Sequence, residues 1–330
     1  MPTSSDLEAM RAAITAAEGV RLLTPPNPWV GAVLVTQAGE RFIGATEKPG
    51  GRHAEIVALD AAGEKAAGAT LYATLEPCCH TGRTGPCTAA IIASGVSRVV
   101  IGISDPDHHV DGSGEAALKD AGIDVETGIL AEEIAEQLSS YLHHRLTGRP
   151  EVTLKLAATL DGRTAAPDGT SKWITSTQAR QDAHLLRARS QAIIVGAGTV
   201  RADDPQLTVR LEGFSGPQPR RIVLGEIPEG AQIEPAESFS GSLATLLQNL
   251  GSEGVLSVLV EGGAAVAHAF HDQNCVDRYV VYVAPAIMGG DDGRSLFAGP
   301  GAPTLASLWR GKFVSAVRVG EDLRVEVVRT

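Results

Sequence analysis

The sequence predicts an α/β protein of two domains, and three observations carry the prediction. The chain has 330 residues, more than twice the ~150 expected of one domain. Apolar residues make up 43% and charged residues 20%, with a mean hydropathy of +0.04, the composition of an ordinary globular protein with material for two cores. Strand-like and helix-like segments alternate along its length, interrupted by a Gly/Pro junction at Thr147-Gly148-Arg149-Pro150.

The elements follow in order. Apolar residues recur at helical spacing over 4–18, after Ser4 and Ser5, which are placed to cap a helix. The TPPNP corner at 24–28 stops that helix, and a buried strand is expected over 30–35 with a second short strand near 41–44. A helix over 53–67, a strand over 70–75, a helix over 86–94 with proline in its first turn and a strand over 96–103 come next. A helix from about 113, a strand over 123–126 and a helix over 131–145 complete the front domain, read as 1–147. From 148 to 330 strands are expected over 152–158, 192–195, 221–224, 255–260 and 279–283, with helices over 177–188 and 264–271.

Charge and cysteine usage narrow the function. Lys and Arg number 28 against 39 Asp and Glu, a net charge of −11, which opposes binding to a nucleic-acid backbone or an anionic membrane. Every long apolar run is broken by Gly, Ser or a charge, so no membrane span is expected. The first twenty residues mix charge with apolar residues and do not read as a signal peptide, so a cytoplasmic protein is expected. There, Cys78, Cys79, Cys87 and Cys275 are too few and too clustered for a disulfide scaffold, and grouped thiols bind metal or react.

His53-Ala54-Glu55 is followed, after one helix and one strand, by Pro77-Cys78 and then by Pro86-Cys87. One imidazole and two thiolates form a tetrahedral zinc set with its fourth position open, the arrangement of a catalytic zinc. Glu55, two residues beyond His53, is placed to stand beside the metal and move protons. H-x-E with P-C-x-x-C is the zinc-deaminase signature; here eight residues, rather than two, separate the cysteines. A lone His-x-Glu occurs by chance, but the combination of order, prolines and spacing does not. Adjacent residues rarely aim at one tetrahedral metal, so Cys79 is read as a packing thiol. His108, His109, His143 and His144 are assigned no role.

Downstream, Gly196-Ala197-Gly198-Thr199 and Glu261-Gly262-Gly263-Ala264 each follow a strand and open a helix, where free N–H groups favour a phosphate. Neither is a full G-x-G-x-x-G, and either alone is equally a close-packing glycine. Lys155 and Asp161 lie in the first strand and turn, as substrate contacts or as packing and turn residues.

The segments MRAAITAAEG, TPPNPWVGAVLV, HAE, LYATLEPC and PCCHTGRTGPC resemble, over almost all of residues 8–146, the deaminase half of the bifunctional riboflavin-biosynthesis deaminase/reductase family. K-x-A-A-T-L-D-G, S-K-W-I-T-S, G-T-V-R-A-D-D-P-x-L-T-V-R and V-E-G-G resemble its reductase half over about 151–290. The resemblance implies a cytidine-deaminase-like α/β/α zinc domain over 1–147 and a dihydrofolate-reductase-like α/β domain over 148–330.

It implies one zinc ion per chain held by His53, Cys78 and Cys87, Glu55 as the catalytic proton shuttle, and Asn27 on substrate. His80 and Arg83 are weaker candidates for the ribose phosphate. In the second half it puts Ala157, Trp173, Thr199, Asp203, Gly263, Ala264, Ala265 and Val266 on NADPH, and Ser171, Arg187, Leu207, Arg210 and Glu261 on substrate. Arg187 and Arg210 suit a phosphate, and Trp173 offers a flat face to the nicotinamide.

The implied reactions are hydrolytic deamination of 2,5-diamino-6-ribosylamino-4(3H)-pyrimidinone 5′-phosphate and reduction of the ribosyl chain, giving 5-amino-6-ribitylamino-uracil 5′-phosphate. The implied partners are this small molecule and, by family habit, further copies of the chain. Three positions depart from the family pattern: Thr46 replaces His, Cys79 replaces Ser and Thr159 replaces Ser. Two other readings stay open on the residues alone. One is a nucleoside, nucleotide or tRNA base deaminase fused to a reductase-like module; the other is a structural-zinc protein with a nucleotide-sensing second half.

Overall fold

The computed structural model describes residues 2–79, 85–107 and 110–329. The chain divides into two units, Met1–Gly148 and Arg149–Thr330. Among the described residues no helix is long and apolar enough to cross a membrane.

The first unit runs α1 (Ser4–Val20), β1 (Gly31–Val35), β2 (Arg41–Ala45), α2 (Ala54–Ala62), β3 (Thr70–Leu75), α3 (Cys87–Ala93), β4 (Arg98–Ile103), α4 (Ser113–Asp120), β5 (Asp124–Thr127), α5 (Ala131–Gln137) and α6 (Ser139–Thr147). Its sheet has the order β2-β1-β3-β4-β5. β1 is antiparallel to both neighbours, while β3, β4 and β5 are parallel.

The cap of α1 is Thr3, not Ser4 or Ser5: Thr3 Oγ1 accepts the Asp6 N–H, and the Asp6 carboxylate accepts the Thr3 N–H at 2.9 Å. This reciprocal pair needs an acid three residues after the cap; Thr3 has Asp6 there, Ser4 has Leu7, and Ser5, although Glu8 follows at that spacing, already lies inside the helix. Asp6 also accepts from Tyr72 Oη and Arg98 Nη1, each at 2.7 Å, so the helix start is tied to β3 and β4. α2 lies so close to β2 that a Cβ built on Gly44 would stand 2.1 Å from the Ala54 carbonyl oxygen. The helix expected over 131–145 is interrupted at the fully buried Leu138, whose ψ of 13° leaves the helical range between α5 and α6. The helix expected to reach residue 67 ends at Ala62 and continues as a 3₁₀ turn over Gly63–Ala66.

The second unit runs β6 (Glu151–Thr159), β7 (Arg163–Ala165), α7 (Thr177–Ala188), β8 (Ala192–Gly196), α8 (Ala197–Asp203), β9 (Arg220–Leu224), β10 (Glu237–Phe239), α9 (Leu243–Ser252), β11 (Ser257–Val260), α10 (Ala264–Asp272), β12 (Arg278–Ala284), β13 (Arg294–Ser295), β14 (Gly311–Val319) and β15 (Asp322–Arg329). The main sheet has the order β10-β9-β8-β11-β6-β12-β15-β14. Its strands are parallel from β10 to β12, and β15 and β14 close the edge antiparallel.

Period-two alternation splits the core over the two faces. Ala192 and Ile194 of β8 join Leu243, Leu246, Leu247 and Leu250 of α9 and Phe270 of α10. Ile193 and Val195 join Ala179 and Leu186 of α7 and Val200 of α8. Each face of the parallel sheet is thus covered by helices, as βαβ crossovers require.

Candidate functional site

The front site is assembled at two helix starts and the loop after β3. His53 is the N-cap residue of α2 and makes no side-chain cap bond, leaving its ring free to face inward. Cys87 is the first residue of α3, behind Pro86, whose extended dihedrals begin the helix. Cys78 lies just beyond β3. His53 Nδ1 is 3.2 Å from Cys87 Sγ and 3.6 Å from Cys78 Sγ, and the two sulfurs are 3.4 Å apart.

Tetrahedral zinc with Zn–S near 2.3 Å and Zn–N near 2.0–2.1 Å needs donors about 3.5–3.8 Å apart, so the trio fits the ion with little adjustment. Among the described residues His53, Cys78 and Cys87 form the potential metal-ligand group, and Cys79 stands outside it. His80 and Arg83 lie outside the described residues, as do His108 and His109.

The thiols are electrostatically unequal. The Cys87 hydrogen bond, with His53 beside it, draws the Cys78 thiol down to about 4, while the same contact and burial push Cys87 upward. His53 is raised chiefly by its hydrogen bond with Cys78. Glu55, in the first turn of α2, is 3% exposed, and burial pushes its carboxyl up to about 7. A carboxyl so placed exchanges a proton near neutral pH.

Sequence reasoning missed Glu76, immediately before Pro77-Cys78. Its buried carboxylate accepts four backbone N–H groups: Asp105 and Gly112 at 3.2 Å each on Oε2, Gly114 at 2.9 Å and Glu115 at 3.0 Å on Oε1. It caps α4 and anchors the strand end that delivers Cys78. The signal was the acid in LEPC, read only as part of a motif. Thr46, where the family has His, is buried and bonds backbone: its hydroxyl accepts from Val30 N at 3.1 Å and donates to Val30 O at 3.3 Å. Asn27 sits in the corner before β1, its backbone N–H on the Thr24 carbonyl at 2.9 Å.

In the second unit the two glycine turns meet. β8 and β11 are sheet neighbours, and Gly263 N–H donates to Thr199 Oγ1 at 3.1 Å. A Cβ on Gly262 or Gly196 would press Val266, at 2.5 and 2.7 Å from its side-chain atoms, so these glycines let α10 settle on the strands and Val266 fills the gap. The N-cap of α10, Gly263, carries no side-chain cap, which leaves the first-turn N–H groups of Ala264, Ala265 and Val266 to an anion and fits a dinucleotide phosphate. Ala157 lies in the adjoining strand, half-buried against the second core. Trp173 is 69% exposed, with the Arg180 guanidinium 4.4 Å from its ring centre. Asp203 is held by Lys172 at 3.3 Å, next to the half-buried Ser171.

Arg187, expected on a phosphate, is instead engaged bidentately by Glu261: Nε to Oε1 at 2.6 Å and Nη2 to Oε2 at 3.0 Å. Both expected substrate residues therefore meet in one ion pair. Burial raises the Glu261 carboxyl, but Arg187 and Lys155 outweigh it and hold it below its ordinary value. Lys155 is itself lowered by burial. Leu207 is buried, with φ of +50°. Arg210 is exposed; its Nη1 donates to Gln206 Oε1 at 3.2 Å and Thr208 Oγ1 at 3.1 Å. Asp161 does turn work, accepting from Thr159 Oγ1, Met288 N and Gly289 N.

Comparisons with known proteins divide the chain the same way. Residues 3–103 match the cytidine and deoxycytidylate deaminase zinc-binding region, and residues 150–325 match the RibD C-terminal domain. The riboflavin biosynthesis protein RibD of Escherichia coli is 40% identical, covering 97% of this chain and 98% of its own. That of Mycobacterium tuberculosis is 42% identical, with 97% and 96% covered. Among solved structures, Acinetobacter baumannii RibD superposes with a TM-score of 0.90 at 37% identity, 98% of each chain covered. The diaminohydroxyphosphoribosylaminopyrimidine deaminase/5-amino-6-(5-phosphoribosylamino)uracil reductase of Thermotoga maritima superposes at 0.86 and 34% identity, again over 98% of each.

Proposed function

The chain belongs to the RibD family of riboflavin-biosynthesis proteins, and from that premise we propose which of its residues carry each of the two reactions. It is a bifunctional deaminase and reductase: 1–147 removes ammonia from the diaminopyrimidinone ribosylamine 5′-phosphate, and 148–330 reduces the ribosyl chain of the product to ribityl with NADPH. The observation that carries the assignment is the convergence of His53, Cys78 and Cys87, with sulfurs 3.4 Å apart, at the start of the helix that carries Glu55.

Zinc held by these three supplies Lewis acidity that makes water nucleophilic near neutral pH. Glu55 takes the proton from the attacking water and returns it to the departing amine, for which a carboxyl near 7 is well matched. Asn27 orients the pyrimidine. In the second unit, Thr199, Asp203 and Gly263–Val266, together with Ala157 and Trp173, would hold NADPH, which would supply the hydride. Ser171, Leu207, Arg210 and the Arg187–Glu261 pair position the sugar phosphate, and Arg210, with its guanidinium open to solvent, is the phosphate ligand.

The substrate is a small phosphorylated aminopyrimidine and not a nucleic acid, in keeping with the net charge of −11. The enzyme works in the cytoplasm, where thiols stay reduced. Its assembly as a homo-oligomer rests on family analogy alone.

The test is a coupled assay on purified, zinc-loaded protein. Glu55→Gln is expected to keep one zinc per chain and lose ammonia release by at least about 10²-fold, the usual worth of a general base. It should still oxidise NADPH when given the deaminated ribosylaminouracil phosphate. Full ammonia release by that variant removes the proton shuttle; no NADPH oxidation by the parent removes the reductase assignment.

A further inference from the structure

The loop over 207–210 has no regular secondary structure, yet three successive residues are held by side chains through their peptide groups. The Thr208 carbonyl accepts from Arg187 Nη1 at 3.3 Å. Val209 is bracketed by Gln218, whose Oε1 accepts its N–H at 2.7 Å and whose Nε2 donates to its carbonyl at 3.1 Å. The Arg210 N–H donates to His184 Nδ1 at 3.2 Å. His184 lies on α7 three residues before Arg187, on the same face of the helix.

Nδ1 faces both the Arg210 N–H at 3.2 Å and the Thr208 carbonyl at 3.1 Å and serves one at a time: accepting from Arg210, it carries no proton, and the neutral ring holds its hydrogen on Nε2. The surroundings favour that state: burial, and then Arg187 and Arg210, lower its basicity, while the Thr208 carbonyl and Glu261 act in the opposite sense. Protonation would turn Nδ1 from acceptor to donor, exchange Arg210 N–H for the Thr208 carbonyl, and shift the peptide that aims Arg210.

We propose that His184 is a positioning residue of the reductase: through Nδ1 it fixes the backbone of Arg210 so that the guanidinium meets the substrate's phosphate, and it does so only when neutral. This rests on the reading above that Arg210 is the phosphate ligand. The role is thus in substrate affinity and not in hydride transfer.

The experiment compares His184→Phe, which keeps ring bulk without an acceptor, with His184→Asn, whose Oδ1 takes the place of Nδ1. Reductase kinetics on the deaminated ribosylaminouracil phosphate, and on the same compound lacking its phosphate, are measured from pH 5.5 to 8.5 on zinc-loaded full chain. His184→Phe is expected to raise KM for the phosphorylated compound about tenfold, as for loss of one charge-assisted contact, with kcat within about twofold and the dephosphorylated compound unaffected. His184→Asn should restore most of the loss.

In the parent, KM should rise as pH falls below the ordinary histidine value. In His184→Asn only the weaker change from the phosphate's own second ionisation, near 6, should remain. Histidine-labelled parent should show an unprotonated Nδ1 at pH 7.5 by long-range nitrogen–proton NMR. A protonated Nδ1, an unchanged KM in His184→Phe, or a fall in kcat that His184→Asn does not rescue overturns the proposal. Arg210→Ala separates the two readings. If it leaves KM unchanged, the phosphate assignment fails and this inference with it; if it raises KM while His184→Phe does not, His184 alone is misread.

Discussion

Replacing Glu76 by Gln puts the front site's support to a quantitative test. The carboxylate satisfies four N–H groups, two on each oxygen. The amide keeps one acceptor oxygen and turns an NH₂ group toward the other two donors. Two charge-assisted hydrogen bonds, each worth about 1.5–3 kcal/mol, are lost, about 3–6 kcal/mol together, and each pair includes a buried donor, Asp105 or Gly114, that solvent does not reach. The loss falls on the capped start of α4 and the turn at Asp105, so hydrogen exchange read by mass spectrometry is the suitable assay. Amides of Asp105, Gly112, Gly114, Glu115 and α4 should exchange about 10²–10⁴-fold faster, with α9 and α10 unchanged. Cys78 lies two residues beyond Glu76, so zinc should also pass to a chelator more quickly. Protection within about threefold of the parent across those amides would refute the claim that this acid anchors the strand end.

Three further variants test the described contacts. Cys87→Ala should lose zinc and ammonia release together while NADPH oxidation survives, whereas Cys79→Ser should retain one zinc per chain by elemental analysis; loss of zinc from the latter would make Cys79 a ligand. Asp6 is held well below the usual carboxylate range: burial raises it, but hydrogen bonds from Arg98, Thr3 and Tyr72 outweigh burial. A depressed carboxyl contributes its full stability above its unfolded value of 3.8 and loses it as pH falls toward the folded value. Asp6→Asn should therefore cost about 3 kcal/mol at pH 7 and flatten the acid limb below pH 4, measured by urea unfolding across pH.

Much of the fold was legible because it rests on local pattern. The 177–188 helix was found to the residue, since Ser176 caps it and its buried positions recur at helical spacing. The zinc trio was legible because chemistry restricts its residue types and prolines mark its loops. What the sequence hid was non-local or weakly patterned. α9 has a capping Ser242 and leucines at 243, 246, 247 and 250, a helical period that was overlooked inside a Gly/Ser-rich stretch. The β14–β15 hairpin escaped because β14 is apolar on both faces and mostly exposed, without the alternation that marks a half-buried strand. The meeting of Thr199 with Gly263, and of Arg187 with Glu261, depends on β11 inserting between β8 and β6, which no short window of sequence announces.

α2 rests on bare backbone at Gly44, with no side chain between helix and strand to act as a cushion. The height at which His53 and Glu55 are held is therefore set by a hydrogen atom rather than by an adjustable rotamer. Such a seat has almost no tolerance: even one methyl group there must lift the helix, and the nitrogen donor would rise away from two sulfurs that belong to other elements. The geometry of the metal centre is in this sense machined into the sheet nine residues before its first ligand.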